Sequence, residues 1–285
     1  MSRSVARVPF RQVDVFSAEP YRGNALAVVH DADDVSDAQM AAIARWTNLS
    51  ETVFLLAPTT PEADYRVRIW TGSGELPFAG HPTIGSAHAW LEAGGVPASD
   101  GVVVQECGAG LVRVRRGERL AFAAPPLVRS GPVSEQDREA VLRATGLSPH
   151  DVLDMAWVDN GPGWLGVEVA SARAVLDVVP DPVAFAGLTV TLVGRHERPA
   201  QGEPDVEVRA FFAAGTDLTE DPVTGSANAG LAQWLVGAGR LPTRYVAAQG
   251  QALRRAGRVY VEQVGDDLWV GGDAVTCITG RIAAG

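Results

Sequence analysis

The stretches ELPFAGHPTIG at residues 75–85 and EDPVTGSANAG at residues 220–230 are two versions of one pattern. At a constant offset of 145 residues, each version has a glutamate, a proline and two glycines at the same positions. Upstream, VRIW at 67–70 resembles VRAF at 208–211, and downstream each version runs into an apolar segment with helical spacing. Because the order strand, loop, helix occurs twice, the sequence predicts a duplicated protein.

The remaining segments favour an α+β fold with pseudo-two-fold symmetry, in which mostly antiparallel strands surround one long helix in each half. Helices are predicted at 36–46, 83–93, 134–144 and 226–238. Strands are predicted at 13–16, 25–29, 52–56, 65–70, 102–104, 111–115, 155–158, 165–169, 190–193, 206–212, 259–261, 268–270 and 276–278. Residues 123–132 are rich in proline, glycine and serine, which predicts a linker. We therefore expect domains at 1–125 and 126–285, with the last strand allowed to pack back on the first half.

The composition excludes several classes of function. Of the 285 residues, 46% are hydrophobic and 20% are charged, which is typical of a globular chain. Acidic residues outnumber basic ones 34 to 24, giving a net charge of -10, so no nucleic-acid partner is expected. All basic residues are arginine. Chemistry that needs a lysine, such as a Schiff base or a Walker A phosphate loop, is therefore excluded.

Cysteine and histidine spacing argues against a metal site. Cys107 and Cys277 are far apart with no CxxC pair, and the five histidines have no HExxH or HxH spacing. We expect neither a disulfide framework nor a bound metal. The chain has no apolar signal core and no stretch approaching about 20 apolar residues, so we expect a cytoplasmic protein with no membrane partner.

Each repeated loop delivers a glycine followed by a polar residue to a helix start: Gly80 and His81, then Gly225 and Ser226. First-turn N–H groups have no partner within the helix and carry the positive end of its dipole, so they bind anions. Two such helix N-termini facing one cleft would form a receptor for a small anion, best suited to a carboxylate. The alternative is that Ser226 is an ordinary N-cap and Pro82 an ordinary first-turn proline.

Three ionisable residues near these loops are candidates for acid/base work. His81, flanked by Gly80 and Pro82, could exchange a proton near pH 7, or it could be an ordinary core or surface histidine. Asp221 could face His81 across the cleft or could only form a local turn. Glu51 precedes an apolar strand, where desolvation would raise its pKa, although a glutamate in a turn is usually solvated. We assign Glu75 and Glu220 a structural role.

Five segments together resemble the PhzF family of phenazine-biosynthesis-type isomerases. They are GNALAVV (23–29), NLSETVF (48–54), ELPFAGHPTIG (75–85), EDPVTGSANAGLA (220–232) and VGGDAVTCITGRI (270–282). The resemblance covers nearly the whole chain. It implies the diaminopimelate-epimerase-like fold, with two similar domains and an active site between them.

The resemblance also implies roles for individual residues. Glu51 matches the acid/base glutamate that moves a proton between carbons of the substrate. His81, Asp221 and Ser226 match further catalytic residues, and Gly80 and Gly225 match glycines whose backbone faces the substrate. Relatives of this family isomerise dihydro-hydroxyanthranilate without a metal or organic cofactor and are commonly homodimers. We therefore expect no cofactor, a small carboxylate-bearing substrate and a homodimer.

A cofactor-independent isomerase is the leading functional prediction, and four alternatives remain. The same residues could eliminate water as a lyase or dehydratase, or the protein could bind a metabolite without chemistry. A hydrolase would use Ser226 with His81 and Asp221, but the GxSxG nucleophile elbow is missing. Related racemases have two cysteines at the helix starts, where this chain has His81 and Ser226, so two-thiol racemisation is disfavoured.

Overall fold

A computed structural model of the chain describes residues 7–197, 199–200, 202–214 and 217–284. The chain divides into two compact units. The first unit contains residues 7–123 together with 271–284, and the second contains the described part of residues 124–270. In the described ranges no helix is long and apolar enough to cross a membrane.

The elements follow one another in a mixed α+β order. The helices are α1 (Asp37–Thr47), α2 (Gly80–Glu92), α3 (Glu135–Thr145), α4 (Ala172–Leu176) and α5 (Gly225–Gly237). The strands are β1 (Arg7–Val15), β2 (Asn24–Val29), β3 (Thr52–Leu56), β4 (Tyr65–Trp70), β5 (Glu75–Leu76), β6 (Val102–Cys107), β7 (Gly110–Arg116), β8 (Leu120–Ala123), β9 (Arg129–Pro132), β10 (Val152–Asp159), β11 (Leu165–Val169), β12 (Thr189–Arg195), β13 (Val206–Ala214), β14 (Asp217–Asp221), β15 (Arg244–Gln249), β16 (Gly257–Val264), β17 (Asp267–Gly272) and β18 (Ala274–Ala283).

The strands of the first unit form a mostly antiparallel sheet. Strand β1 lies between β18 and β2 and is antiparallel to both. Strand β2 then runs parallel to β3, and β3 antiparallel to β4. Strand β4 pairs antiparallel with the short β5 and parallel with β6, and β6, β7 and β8 continue as an antiparallel meander.

The second unit repeats this order of pairings. Strand β10 lies between β9 and β11 and is antiparallel to both. Strand β11 runs parallel to β12, β12 antiparallel to β13, and β13 pairs antiparallel with β14 and parallel with β15. Strands β15 and β16 are again antiparallel. Because the succession of parallel and antiparallel pairs is the same in both units, the predicted duplication is confirmed.

The long helix of each unit, α2 or α5, needs a glycine to approach its sheet. A Cβ on Gly85 would lie 2.5 Å from Leu26 Cδ2, and a Cβ on Gly230 would lie 2.2 Å from the carbonyl oxygen of Val158. These two glycines are related by the repeat: at Gly230 a side chain would clash with the backbone, and at Gly85 it would displace the buried side chains of β1 and β2. The fold therefore explains why both versions of the motif keep this glycine.

Several predicted element boundaries need correction, and the predicted strand at 13–16 is β1, which already begins at Arg7. Helix α2 begins at Gly80, three residues earlier than predicted, because Pro82 in the first turn lacks only an N–H that would have no partner there. The predicted linker contains strand β9, whose four residues are all exposed and include a glycine and a proline. The short elements β5, β8, β14, β15 and α4 were not predicted, since their positions depend on pairing or packing with neighbours rather than on their composition.

Candidate active site

Glu51 and His81 come together at the start of α2 in the first unit. Glu51 immediately precedes β3, and His81 is the second residue of α2. Glu51 Oε2 lies 3.4 Å from His81 Nε2, and the two side chains are only 16% and 4% exposed. A carboxyl group thus lies against an imidazole, and both side chains are mostly removed from solvent. Of the two interpretations of Glu51, the solvated turn glutamate is wrong.

The surroundings of His81 decide its charge. Burial lowers the pKa of His81 from 6.5 to about 3, because the protein interior solvates an imidazolium poorly. At pH 7 the ring is therefore neutral, and one of its nitrogens carries a proton while the other can accept one. The contact with Glu51 consequently joins a carboxyl group to a neutral ring rather than two opposite charges.

Asn24 lies on the other side of the imidazole. It is the first residue of β2, is only 2% exposed, and has its Nδ2 3.5 Å from His81 Nδ1. Asn24 lies in the segment GNALAVV, but no role was predicted for it. A polar residue at the head of an otherwise apolar strand was the available signal.

Asp221 ends β14 in the second unit and is 7% exposed. Thr224 Oγ1 donates a hydrogen bond of 2.6 Å to Asp221 Oδ2, and Gln249 Nε2 donates to the Asp221 carbonyl at 3.1 Å. The carboxylate is therefore held by the loop that leads into α5. The local-turn interpretation accounts for this contact, and the further prediction that Asp221 acts together with His81 stays a prediction.

Ser226 is the second residue of α5, the position that His81 has in α2. The N-cap of α5 is Thr224, so the interpretation of Ser226 as an ordinary N-cap is wrong. Trp164 Nε1 donates to Ser226 Oγ at 3.0 Å, and Asn160 Nδ2 donates to its carbonyl oxygen at 2.9 Å. Because an indole cannot accept the hydroxyl proton, this contact gives no support to a serine hydrolase.

Buried glutamines hold the first turns of both helices. Gln105 on β6 is 0% exposed; its Nε2 donates to Thr83 Oγ1 at 3.1 Å, and its Oε1 accepts from Ser86 Oγ at 3.0 Å. Gln249 on β15 is 1% exposed, and its Oε1 accepts from Asn228 Nδ2 at 2.9 Å. Thr83 and Asn228 are related by the repeat. Neither glutamine was predicted to support the site, because both lie far along the chain from the loops they support.

The repeated glutamates form a second matching pair of contacts. Arg68 on β4 binds Glu75 through two hydrogen bonds, of 2.7 and 2.6 Å. Arg209 on β13 binds Glu220 in the same way, at 2.9 and 2.8 Å. Each pair ties the strand before the loop to the residue that opens it. The structural role assigned to these glutamates agrees with the geometry, and their partners are the arginines of VRIW and VRAF.

The two glycines and the two cysteines singled out in the sequence lie within regular helices and strands. Gly80 and Gly225 are the buried first residues of α2 and α5. Cys107 and Cys277 are free thiols on β6 and β18. Glu51 and His81 thus meet within the first unit, and Asp221 and Ser226 lie at the start of the second unit's helix.

Comparison with known proteins shows which family this architecture belongs to. The family model for phenazine biosynthesis-like proteins, PhzC–PhzF, matches residues 13–280. A protein named antisense-enhancing sequence 1 from Schizosaccharomyces pombe is 35% identical over 95% of this chain and 97% of its own. The trans-2,3-dihydro-3-hydroxyanthranilate isomerase of Pseudomonas aeruginosa is 31% identical over 89% of each chain. The solved structure of a predicted epimerase from Pseudomonas aeruginosa, 26% identical, superimposes with a TM-score of 0.78 over 98% of this chain and 100% of that one.

The duplicated α+β fold and its likeness to the solved structure of a predicted epimerase define an epimerase-like protein. The chain belongs to the PhzC–PhzF family of phenazine biosynthesis-like proteins. The predicted family, fold class and enzyme class are confirmed, and relatives with high coverage are named isomerases.

Proposed function

We propose that this protein is a cofactor-independent isomerase that moves a proton between two carbons of a small carboxylate-bearing substrate. The observation that carries the proposal is the 3.4 Å approach of Glu51 Oε2 to the buried His81 Nε2. The two side chains form an acid/base pair sheltered from water, which is what proton transfer to and from carbon requires.

Glu51 is the group that handles the migrating proton. As a carboxylate it takes a proton from an activated C–H, which leaves the electron pair in the π-system of the substrate. As a carboxylic acid it returns the proton to another carbon of that system. Atoms and charge balance over the cycle, Glu51 ends as it began, and no oxidant or reductant is consumed.

The start of α2 stabilises the charge that develops on the substrate. His81 lies in the first turn, where backbone N–H groups and the helix dipole favour negative charge. A neutral imidazole can donate one hydrogen bond there without competing with Glu51 for the migrating proton. These features favour a substrate whose negative charge grows during proton abstraction.

Asp221 and Ser226 complete the proposed set by binding polar groups of the substrate. Both are buried at the start of α5, and both are fixed by hydrogen bonds to neighbouring residues. A carboxylate suits an amino or hydroxyl group, and a hydroxyl suits a carboxylate oxygen. The proposed substrate class therefore combines an acidic group with an amino or hydroxyl group.

The experiment incubates the protein with trans-2,3-dihydro-3-hydroxyanthranilate in D₂O and follows the products by NMR and mass spectrometry. This compound is the substrate named for the 31%-identical relative. We expect an isomer with deuterium at the carbon that receives the proton. A panel of small hydroxy and amino acids with an activated C–H, tested for hydrogen exchange, extends the search if this compound is not turned over.

The Glu51→Gln variant separates the mechanism from simple binding. It preserves shape but cannot carry the proton, so turnover should fall about 100-fold or more while ligand binding remains. Glu118→Gln is the matched control, because its side chain is 82% exposed. Wild-type rates in Glu51→Gln would overturn the mechanism, and a product lighter by one water would replace the isomerase by a dehydratase.

A further inference from the structure

In both units a buried N–H donor contacts the second residue of the central helix. In the first unit Asn24 Nδ2 contacts His81 Nδ1 at 3.5 Å. In the second unit Trp164 Nε1 donates to Ser226 Oγ at 3.0 Å. Asn24 begins β2 and Trp164 immediately precedes β11, and these strands occupy equivalent places in the two sheets. Different side chains thus make the same contact twice.

The loop before Asn24 is built to hold it in place. Asp14 on β1 accepts hydrogen bonds from the backbone N–H groups of Arg22 and Gly23, at 2.7 and 2.9 Å. A Cβ on Gly23 would lie 2.1 Å from the carbonyl oxygen of Val15, so only glycine fits there. The backbone on the N-terminal side of Asn24 is therefore fixed by a buried carboxylate and by close contact with β1.

The loop before Trp164 repeats this construction. Asp159, the last residue of β10, accepts hydrogen bonds from the backbone N–H groups of Gly161 and Gly163, at 2.7 and 2.6 Å. Gly163 directly precedes Trp164, as Gly23 directly precedes Asn24. The indole itself is 3% exposed. Both donors therefore follow a glycine whose N–H is held by a strand aspartate.

We propose that Asn24 and Trp164 are positioning residues: Asn24 fixes His81 as a hydrogen-bond donor on its Nε2 side, and Trp164 orients the Ser226 hydroxyl while leaving its proton available. An amide N–H₂ and an indole N–H can only donate, so each target atom has to accept. His81 must then carry its proton on Nε2, on the side of Glu51, and the Ser226 hydroxyl keeps its own proton free to point elsewhere. This inference rests on the proposed function for its meaning in catalysis, but not for its test.

The position of Glu51 favours this arrangement of His81. With the proton on Nε2, an N–H rather than a lone pair faces the Glu51 carboxylate oxygen 3.4 Å away, which is a favourable electrostatic contact but not a formed hydrogen bond. If the Asn24 amide were turned over, its oxygen would accept from Nδ1–H, and the bare Nε2 lone pair would face a carboxylate oxygen. That arrangement is repulsive unless Glu51 is protonated. The donor arrangement is therefore the one compatible with an ionised base.

The donor side of His81 defines the kind of substrate group that the start of α2 can bind. A carboxylate or an enolate oxygen can accept from His81 Nε2–H or from the Ser226 hydroxyl, whereas an ammonium group cannot. The inference thus gives the Nε2 side of His81 a fixed polarity, which sequence motifs alone leave open, whereas Ser226 can still donate or accept. Asp221 remains as the acceptor for an amino or hydroxyl group.

The decisive measurement is the tautomer of His81, read from the ring ¹⁵N shifts of ¹⁵N-histidine-labelled full-length protein at pH 7. We expect the neutral form with the proton on Nε2. His30 is the internal control: burial lowers its pKa to about 4, and its Nε2 accepts from the Arg11 guanidinium at 2.9 Å. His30 should therefore carry its proton on Nδ1. An Nδ1 proton on His81 would overturn the proposal without any variant being made.

Variants at Asn24 test whether it causes this preference. Asn24→Asp replaces a donor by an acceptor and should move the His81 proton to Nδ1. Asn24→Leu, which has neither group, should leave a mixture of tautomers. His30 should keep its tautomer in both variants. Two variants are used so that one misfolded protein does not end the test, and an unchanged His81 in a folded variant would contradict the role of Asn24.

The second unit is tested through the indole N–H of Trp164. Its ¹H–¹⁵N resonance should shift in Ser226→Ala, since the acceptor is lost, while the resonance of the 80% exposed Trp46 stays in place. An unmoved Trp164 resonance would remove this half of the proposal. These spectra require no substrate, so they test the proposal even if no turnover is found. A failed tautomer test would contradict this proposal but not the proposed role of Glu51.

Discussion

At the scale of single residues, His81 combines deep burial with a role at a helix start. Its ring lies between the Asn24 amide and the Glu51 carboxyl group, and it is 3% exposed. Burial of a neutral imidazole costs much less free energy than burial of an imidazolium. The residue therefore couples the stability of the first unit to pH, in a direction that can be worked out from its pKa.

The pKa of His81 is about 3 in the folded chain and about 6.5 when unfolded, so between these values the unfolded chain binds more protons. The contribution of His81 to the free energy of unfolding is fully present above about pH 6.5 and is lost as the pH falls. Relative to His81→Gln, wild-type protein should lose about 2 kcal/mol of unfolding free energy between pH 7 and pH 5. Urea unfolding at the two pH values measures this difference.

The comparison with a variant is needed because other groups titrate in the same range. Burial raises the pKa of Glu207 to about 7, which lowers stability as pH rises and so opposes the effect of His81. Glu207 is common to both proteins and cancels in the difference. The exposed His150→Gln variant should behave as wild type, and an equal pH dependence in His81→Gln would contradict the assignment.

At the scale of elements, the two arginine–glutamate pairs show how a strand holds the loop that follows it. Opposite Glu75 in the β4–β5 ladder lies Trp70, and opposite Glu220 in the β13–β14 ladder lies Phe211. Each aromatic ring also lies beneath the arginine of its pair, at 5.4 Å for Arg68 and 4.8 Å for Arg209. The repeat is thus preserved at the level of strand register.

The two pairs should differ in their contribution to stability because they differ in exposure. The Arg209 and Glu220 side chains are 5% and 12% exposed, and Arg209 also donates to the carbonyl of Val178 at 2.7 Å. Arg209→Met leaves these acceptors buried and unpaired, so it should cost about 3 kcal/mol or more. The Arg68–Glu75 pair is 22% and 37% exposed, so Arg68→Met should cost about 1 kcal/mol.

Chemical denaturation of the two methionine variants checks this order. The charge-retaining Arg209→Lys serves as control and should recover part of the loss, since it keeps a donor but not the two-pronged geometry. Equal losses for Arg68→Met and Arg209→Met would show that burial does not set the strength of these pairs.

At the scale of the whole molecule, the chain leaves the first unit after residue 123 and returns to it at residue 271. Strand β18 then pairs with the full length of β1, from Val15↔Ala274 to Arg7↔Ala283. Ile282 packs against the core cluster that contains Val29 and Phe54. The first unit is therefore completed only by the last strand of the chain.

Loss of β18 should consequently destabilise the first unit. In a chain that ends at residue 272, we expect amide hydrogen exchange in β1 and β2 to accelerate strongly, while β12 and β13 keep their protection. In the full-length chain, Ile282→Asp should act in the same direction because it places a carboxylate beside the core. Ile278→Asp, at a position on β18 that is 50% exposed, is the control. Unchanged protection of β1 in the shortened chain would contradict this account.

Much of the candidate site could be predicted because it depends on local backbone requirements. The local pattern consists of glycines that allow close approach, a proline near the loop and polar residues at helix starts. This pattern occurs twice in the sequence at one constant offset. Glu51 was found by its place before an apolar strand and by the resemblance of NLSETVF. The start of α2 was predicted three residues late, because a proline can either precede a helix or lie in its first turn.

The sequence by itself determined the duplication, the α+β class, the family and the helix starts that carry His81 and Ser226. Only the tertiary structure decided that Glu51 lies against His81, that Asn24 and Trp164 donate to the two helix starts, and that Gln105 and Gln249 support them. These contacts join residues 19 to 62 positions apart. They depend on strand register and on the way the chain returns to each sheet, which no local pattern of side chains encodes.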